Sequence, residues 1–140
     1  MERRDFIKIG CGVFGVTAAA AFLQGCSKLG TSNTPQGPSV NITLDLTQPA
    51  NAALKNINGY VYDNSGIIVV KTAATTYVAV AAACTHQGCT IGWDGSSKNF
   101  ICPCHGGTFD TNGNVVSGPP PAPIKKYTVT INGNILTIAG

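Results

Sequence analysis

Apolar and polar residues alternate along most of the chain after position 40, in short stretches separated by turn-forming residues. Val40, Ile42, Leu44 and Leu46 are apolar and flank polar residues, which is the period-two pattern of a half-buried strand. Further short stretches predict strands at 59–62, 66–72, 76–83, 98–101, 108–110, 115–116, 127–131 and 135–138. Only residues 49–55 suggest a helix, and a short one. The pattern therefore predicts an all-β domain of short antiparallel strands.

Turn-forming residues lie between the predicted strands. Residues 64–66, Asn-Ser-Gly, separate two strands and predict a hairpin. Asn-Gly pairs at 112–113 and 132–133 separate two further pairs of strands. Type I′ turns need positive φ at both central residues, which favours Asn-Gly, so each pair predicts a type I′ turn.

The first 25 residues differ from the rest of the chain. Basic residues come first, and an uncharged, mostly apolar run follows at 9–23. Its length suits the apolar core of a signal peptide and falls short of a usual transmembrane span. Arg-Arg-Asp-Phe-Ile-Lys at 3–8 resembles the twin-arginine export signal. Residues 1–25 are therefore expected to be a signal or a membrane anchor.

The apolar run ends in Leu23-Gln24-Gly25-Cys26, which resembles a lipobox, whose Cys becomes the lipidated first residue of a mature lipoprotein. Gln24 departs from the small residue usual in that motif, so an uncleaved anchor remains the alternative. Either outcome tethers the protein to a membrane, on its periplasmic or other extracytoplasmic face. The polar residues 26–39, rich in Gly, Pro and Ser, predict a flexible linker before a folded domain at 40–140.

The charge of the chain gives no support to nucleic-acid binding. The formal net charge is +3, and only 11% of the residues are charged. Three of the basic residues lie in the leader, and the others form no cluster in the sequence. A nucleic-acid-binding domain would be expected to carry a basic patch or stripe.

Cysteine and histidine are concentrated in two short segments. The first reads Cys-Thr-His-Gln-Gly-Cys at 84–89, and the second reads Cys-Pro-Cys-His-Gly-Gly at 102–107. The chain has two histidines, His86 and His105, and each follows a cysteine of its own segment, Cys84 or Cys102. Together the segments can supply two thiolates and two imidazoles, and thiolates suit the iron of Fe–S clusters.

Two simpler interpretations of these segments remain open at this point. Two Cys and two His can hold a structural zinc ion tetrahedrally, and four cysteines can form two disulfides. Zinc fingers, however, usually place Cys with Cys and His with His, whereas each segment here mixes the two.

The two segments closely resemble the signature motifs of the Rieske 2Fe–2S proteins. The resemblance implies one 2Fe–2S cluster, with Cys84 and Cys102 on one iron and His86 and His105 on the other. It implies the Rieske fold, in which stacked antiparallel sheets carry a cluster-binding subdomain of two loops. It also implies a disulfide between Cys89 and Cys104, as in the branch that contains the cytochrome bc-type complexes.

The number of cysteines agrees with the resemblance. Of the six, Cys11 lies in the leader and Cys26 in the lipobox-like motif. Two cluster ligands and one disulfide account for the other four. A disulfide also suits the oxidising compartment that an export signal predicts.

The resemblance implies one-electron transfer rather than turnover of a substrate by this chain alone. The leading hypothesis is the iron–sulfur subunit of a quinol-oxidising cytochrome bc-type complex, with b-type and c-type cytochrome partners. In such relatives the residue corresponding to His105 is thought to contact the quinol. The alternatives are the small Rieske subunit of an exported, arsenite oxidase-like molybdenum enzyme and a stand-alone lipoprotein electron carrier.

Two positions depart from the high-potential members of that family. Those members place Ser and Tyr where this chain has Gly107 and Phe109, and the two hydroxyls donate to cluster sulfurs. Without the two donors, a mid-to-low potential is expected, suited to a menaquinol-type donor. The residues at 117–123, Ser-Gly-Pro-Pro-Pro-Ala-Pro, resemble the Gly-Pro loop that covers the cluster in this family. Trp93 and Tyr127 are expected to pack in the core.

Overall fold

The structure, a computed structural model, describes residues 39–140. The signal or anchor expected at 1–25, the linker expected at 26–39 apart from its last residue, and Cys26 all lie outside these residues. Within 39–140, no helix is both long and apolar enough to cross a membrane.

Ten strands and one short 3-10 helix, Pro49–Lys55, make up the regular structure of the described residues. The strands are β1 (Asn41–Asp45), β2 (Tyr60–Asp63), β3 (Ile67–Ala73), β4 (Thr76–Ala81), β5 (Gly92–Asp94), β6 (Asn99–Ile101), β7 (Thr108–Phe109), β8 (Val115–Ser117), β9 (Lys126–Asn132) and β10 (Ile135–Ala139). The all-β prediction is confirmed, and the short helix lies where it was expected. The sequence pattern missed β5, because three residues with one apolar side chain show no alternation.

The strands form two antiparallel sheets. The larger sheet has six strands in the order β1-β10-β9-β4-β3-β2, and the smaller has four in the order β5-β6-β7-β8. In the smaller sheet Gly92 pairs with Ile101, Ile101 with Thr108, and Thr108 with Ser117. These four residues form one row across the sheet, so the chain segments that enter or leave the sheet beside them emerge at the same end.

The type I′ turns predicted for the two Asn-Gly pairs are wrong. Among the described non-glycine residues only Asn58 and Lys98 have positive φ, so neither Asn112 nor Asn132 adopts the required conformation. Strand β9 extends through Asn132, and the two-residue loop consists of Gly133 and Asn134, with a positive φ at Gly133. A glycine with positive φ at the first central position matches a type II′ turn, which suits the twist of a hairpin as well as type I′ does.

Two groups of buried side chains form the core. One group lies around β1, β10 and the helix, and includes Leu54, Leu136 and Ile138. The other joins the inner face of β3 and β4 to the small sheet, and it includes Cys84 and Cys102 together with aromatic residues. Trp93 belongs to this second group, where its ring packs edge-to-face on Phe100 with centroids 5.0 Å apart. Tyr127 is half-buried and packs against the first group, so both aromatic residues pack as expected.

Candidate iron–sulfur site

Three loops meet at one end of the small sheet, the end where Gly92, Ile101, Thr108 and Ser117 lie in one row. Loop 1 (residues 84–89) lies between β4 and β5, and loop 2 (residues 102–107) connects β6 to β7. The proline loop (residues 118–123) follows β8. The antiparallel register brings together segments that are distant in sequence, because each loop begins or ends beside the same row of strand residues.

Loop 1 folds back on itself through two backbone hydrogen bonds. The amide of Cys84 donates to the carbonyl of Cys89 at 2.8 Å, and the amide of Gly88 donates to the carbonyl of Cys84 at 2.8 Å. Gly88 has a φ of +73°, which most side chains disfavour. The loop thereby holds its first cysteine at the base, where the side chain is buried, and leaves the residues between exposed except for His86, which is half-buried.

Loop 2 repeats the same arrangement at the same offsets. The amide of Cys102 donates to the carbonyl of Gly107 at 2.7 Å, and the amide of Gly106 donates to the carbonyl of Cys102 at 3.0 Å. Gly106 has a φ of +72°, matching its counterpart in loop 1. Two similar loops therefore face each other, each with one cysteine at its base and one histidine near its tip.

A disulfide joins the two loops. Cys89 at the end of loop 1 bonds to Cys104 in the middle of loop 2, 15 residues further along the chain. The disulfide expected from the family resemblance is present. It limits how far the tips of the two loops can separate.

The two histidines lie side by side. The ring centroids of His86 and His105 are 4.9 Å apart, and the ring planes are nearly perpendicular. Nδ1 of His86 is buried and has no hydrogen-bond partner among the described residues. A buried polar atom without a partner is costly, and a metal ion bound to the imidazole nitrogen would satisfy it.

The two cysteines at the loop bases are buried and close together. Cys84 is 3% exposed and Cys102 is 2% exposed. Burial raises the pKa of the Cys84 thiol, and the neighbouring Cys102 thiol acts in the same direction, while backbone N–H groups of His86 and Gln87 oppose the shift. Metal ligands must be deprotonated, so this buried pair needs a cation to carry two thiolates.

The sulfur atoms of Cys102, Cys89 and Cys104 lie within 4.8 Å of one another. Because Cys89 and Cys104 are joined to each other, this triplet offers one thiol and no three-cysteine metal site. The disulfide instead lies directly beside a buried thiol of the candidate site.

The proline loop touches both of the other loops. The hydroxyl of Thr85 in loop 1 donates to the carbonyl of Ala122 at 2.6 Å. On the other side, the ring of Pro120 lies against the backbone of Gly107 in loop 2. The three loops therefore enclose the buried thiols and leave His105 exposed.

The residues present fit a 2Fe–2S cluster with mixed ligands. Buried thiols at both loop bases, paired imidazoles at the tips and an unpartnered buried imidazole nitrogen form the donor set of a centre in which two His replace two Cys on one iron. The N–H groups directed at the Cys84 sulfur also suit a thiolate ligand.

Comparison with known proteins points to the same class of iron–sulfur domain. Residues 46–128 match the Rieske [2Fe-2S] domain. The chain is 30% identical over 139 residues to the cytochrome b6-f complex iron-sulfur subunit of Chlorobaculum tepidum, covering 99% of this chain and 75% of that subunit. A subunit of the same name from Gloeobacter violaceus is 31% identical over 81% of this chain and 54% of the relative.

Solved structures agree with the fold. The cyanobacterial plasma membrane Rieske protein from Synechocystis PCC 6803 is 31% identical, with a TM-score of 0.50 over 56% of this chain and 82% of that one. The ferredoxin of carbazole 1,9a-dioxygenase from Nocardioides aromaticivorans, at 21% identity and a TM-score of 0.53 over 59% of this chain and 86% of that one, supports the fold alone. This chain belongs to the Rieske 2Fe–2S family. It is an electron carrier whose cofactor is a 2Fe–2S cluster.

Some residues of the site were not identified in the sequence. Thr85 and Pro120 connect the proline loop to loops 1 and 2, but a hydroxyl or a proline within such motifs gives no sign of its distant partner. One signal was available: a glycine follows the first cysteine by the same interval in both motifs, at Gly88 and Gly106. That repeated offset marks the two loops as alike.

Proposed function

We propose that this protein carries single electrons from a membrane quinol to a c-type cytochrome, as the iron–sulfur subunit of a cytochrome bc-type complex. The relationship over nearly the whole chain to a protein named as the iron–sulfur subunit of a cytochrome b6-f complex carries this proposal. The disulfide between the cluster loops supports it, because it belongs to the branch that the resemblance indicated.

The proposed ligands are Cys84 and Cys102 on one iron, and His86 and His105 on the other. When bound, such a cluster accepts and releases one electron. The buried cysteines keep their side of the site away from water, and the disulfide holds the loops together around it.

His105 is the proposed contact with the quinol. It is exposed at the tip of loop 2, whereas His86 is half-buried. With one ring nitrogen of His105 bound to iron, the other would be free to accept a hydrogen bond from a quinol hydroxyl, and then its proton. This arrangement couples electron transfer to proton transfer.

Position 107 and position 109 support a mid-to-low potential. Gly107 and Phe109 are both buried beside Cys102, and neither side chain carries a hydrogen-bond donor. Voltammetry of the purified protein tests this part of the proposal. A value near the upper family limit of about +300 mV would contradict it.

Residues 1–39 are proposed to place the domain at the extracytoplasmic face of a membrane, through either a lipidated Cys26 or an uncleaved anchor. Mass spectrometry of the mature protein distinguishes the two. A chain that begins at a lipidated Cys26 supports the first, and an intact N-terminus supports the second.

Purification from gently solubilised membranes tests the complex itself. Haem b that co-purifies with the protein is the expected result. Co-purifying molybdopterin would instead identify a subunit of a molybdenum enzyme, and a cluster-bearing chain without partners would identify a stand-alone carrier. Either result contradicts the proposed complex.

The ligand assignment is tested by replacing each proposed ligand with a residue that cannot bind iron. Cys84→Ala and His86→Ala are expected to abolish the EPR signal of the reduced cluster. Thr90→Ala, an exposed substitution just after loop 1, serves as the control and should retain the signal.

A further inference from the structure

Position 107 has no room for a side chain. A Cβ atom built on Gly107 would lie 2.6 Å from Cγ and 2.9 Å from Cδ of Pro120, well inside the roughly 3.5–4.0 Å at which carbon atoms pack. The next nearest atom among the described residues is Cβ of Cys102 at 3.6 Å, an ordinary contact. The ring of Pro120 alone therefore excludes a side chain here.

Pro120 differs from the prolines on either side of it. Pro120 is buried, whereas Pro119 and Pro121 are exposed. Its ring is closed and cannot swing to another rotamer as a long side chain would. A substitution at 107 would therefore have to move the backbone of the proline loop.

That backbone is held on both sides of Pro120. Before it, a Cβ atom on Gly118 would lie 2.7 Å from Cα of Gly107, so the two backbones are already in close contact. After it, the carbonyl of Ala122 accepts a hydrogen bond from Thr85, and the amide of the buried Ile124 donates to Gly113 at 2.9 Å. The proline loop thus has little freedom to retreat from position 107.

We propose that Pro120 is a positioning residue for the cluster site, because its ring keeps position 107, next to Cys102, free of any side chain and therefore of any hydroxyl donor. The inference rests on the proposed function, in which Cys102 is a ligand and the potential is mid-to-low. Positions 107 and 120 form one coupled pair. A hydroxyl at 107 can raise the potential only when the ring at 120 is removed.

The test compares Gly107→Ser, Pro120→Ala and the double variant in the full, cluster-bearing chain. Pro120→Ala removes Cγ and Cδ, the two atoms that meet the new side chain. Gly107→Ser alone should lower the Tm and speed the loss of the cluster. The double variant should recover most of that Tm, and its potential should exceed that of Pro120→Ala.

Two further variants separate sterics from hydrogen bonding. Gly107→Ala with Pro120→Ala should recover the Tm without raising the potential, because it adds a methyl group and no hydroxyl. Gly107→Ser with Pro121→Ala should neither recover the Tm nor raise the potential. Pro121 is exposed, so its removal loosens the loop without clearing the space at 107.

Gly107→Ser alone with unchanged stability and a raised potential would overturn the inference. A double variant whose Tm is no higher than that of Gly107→Ser would overturn it too. If Gly107→Ser alone retains no cluster, the inference requires that the added Pro120→Ala substitution restores cluster binding. A double variant that still lacks the cluster would overturn it. If the proposed complex is wrong, haem b will not co-purify with the protein. That result does not affect the coupling between positions 107 and 120, because the coupling is measured on the isolated protein.

Discussion

At the scale of single residues, two positions near Cys102 are expected to tune the potential of the site. Gly107 lies beside this cysteine and Phe109 belongs to the same core group, and neither has the side-chain donor expected in high-potential relatives. A hydrogen bond to a charged acceptor is worth about 1.5–3 kcal/mol, and neither position supplies one. Backbone N–H groups of His86 and Gln87 act on the other cysteine, Cys84, by lowering the pKa of its thiol against the effect of burial.

Phe109→Tyr is expected to raise the midpoint potential. One added donor to a ligand sulfur stabilises the more negative, reduced cluster more than the oxidised one. A difference as large as a whole hydrogen bond to a charged group, about 1.5–3 kcal/mol, corresponds to roughly 65–130 mV for one electron. Voltammetry measures the shift. Phe100→Tyr is the matched control, because Phe100 pairs with Phe109 on the neighbouring strand and is equally buried. A lower Tm with no change of potential in Phe109→Tyr would mean that the hydroxyl does not reach the sulfur.

At the scale of elements, the site consists of three loops that depend on one another. Loops 1 and 2 share one backbone arrangement, and the disulfide joins them across 15 residues of chain. The proline loop contacts loop 1 through Thr85 and loop 2 through Gly107. None of these loops has a core of its own, so each takes its shape from the sheet beneath it and from the other two.

Removal of the disulfide by Cys89→Ser with Cys104→Ser should destabilise the domain. A disulfide that closes a loop of this length stabilises a protein by about 3 kcal/mol, chiefly through the unfolded state. Denaturant unfolding measures this loss, and the visible absorbance follows the faster release of the cluster. Unfolding and cluster release at the wild-type rates would show that the sheets alone hold the loops.

Thr85→Val should loosen the proline loop while leaving the shape of the side chain nearly unchanged. Loss of the hydrogen bond to the Ala122 carbonyl should cost about 0.5–1.5 kcal/mol of stability. Hydrogen exchange should also rise at the amide of Ile124, which follows the loop and donates to the carbonyl of Gly113, since four of the six residues at 118–123 are prolines without an N–H. Thr90→Val is the control, because the Thr90 hydroxyl donates no hydrogen bond among the described residues. Equal effects of the two substitutions would argue against the contact.

At the scale of the whole described domain, one of the two core groups contains no residue of the cluster site. The cysteines of the site belong to the core group shared with the small sheet. Leu54, Leu136 and Ile138 lie in the other group, around the helix and the first and last strands. Stability can therefore change without changing the site.

Leu54→Ala should test that separation. Leu54 is fully buried, and such a truncation costs about 2–5 kcal/mol of unfolding free energy. The midpoint potential should stay the same, because no residue of the site loops belongs to this core group. A shift of potential that accompanies the loss of stability would show that the two groups act as one.

Much of this molecule could be predicted from sequence, because its signals are local. Period-two alternation and short apolar stretches follow from the geometry of strands, so the all-β fold and nine of the ten described strands were predictable. The Cys and His residues lie close together within each motif, and the resemblance of the two motifs to the Rieske signatures made the cofactor predictable too. Even so, local pattern failed at β5, and at Asn132, where the strand continues and the turn moves on by one residue.

Only the tertiary structure decided how the three loops meet. The antiparallel register places Gly92, Ile101, Thr108 and Ser117 in one row, and this brings Pro120 against Gly107 and Thr85 within reach of Ala122. These contacts join residues far apart in the chain, and their energies depend on packing distances that no local pattern encodes. The sequence by itself determined which Cys and His residues are available as ligands and where most strands lie, because both signals are local, and the fold decided which side chains have room beside them.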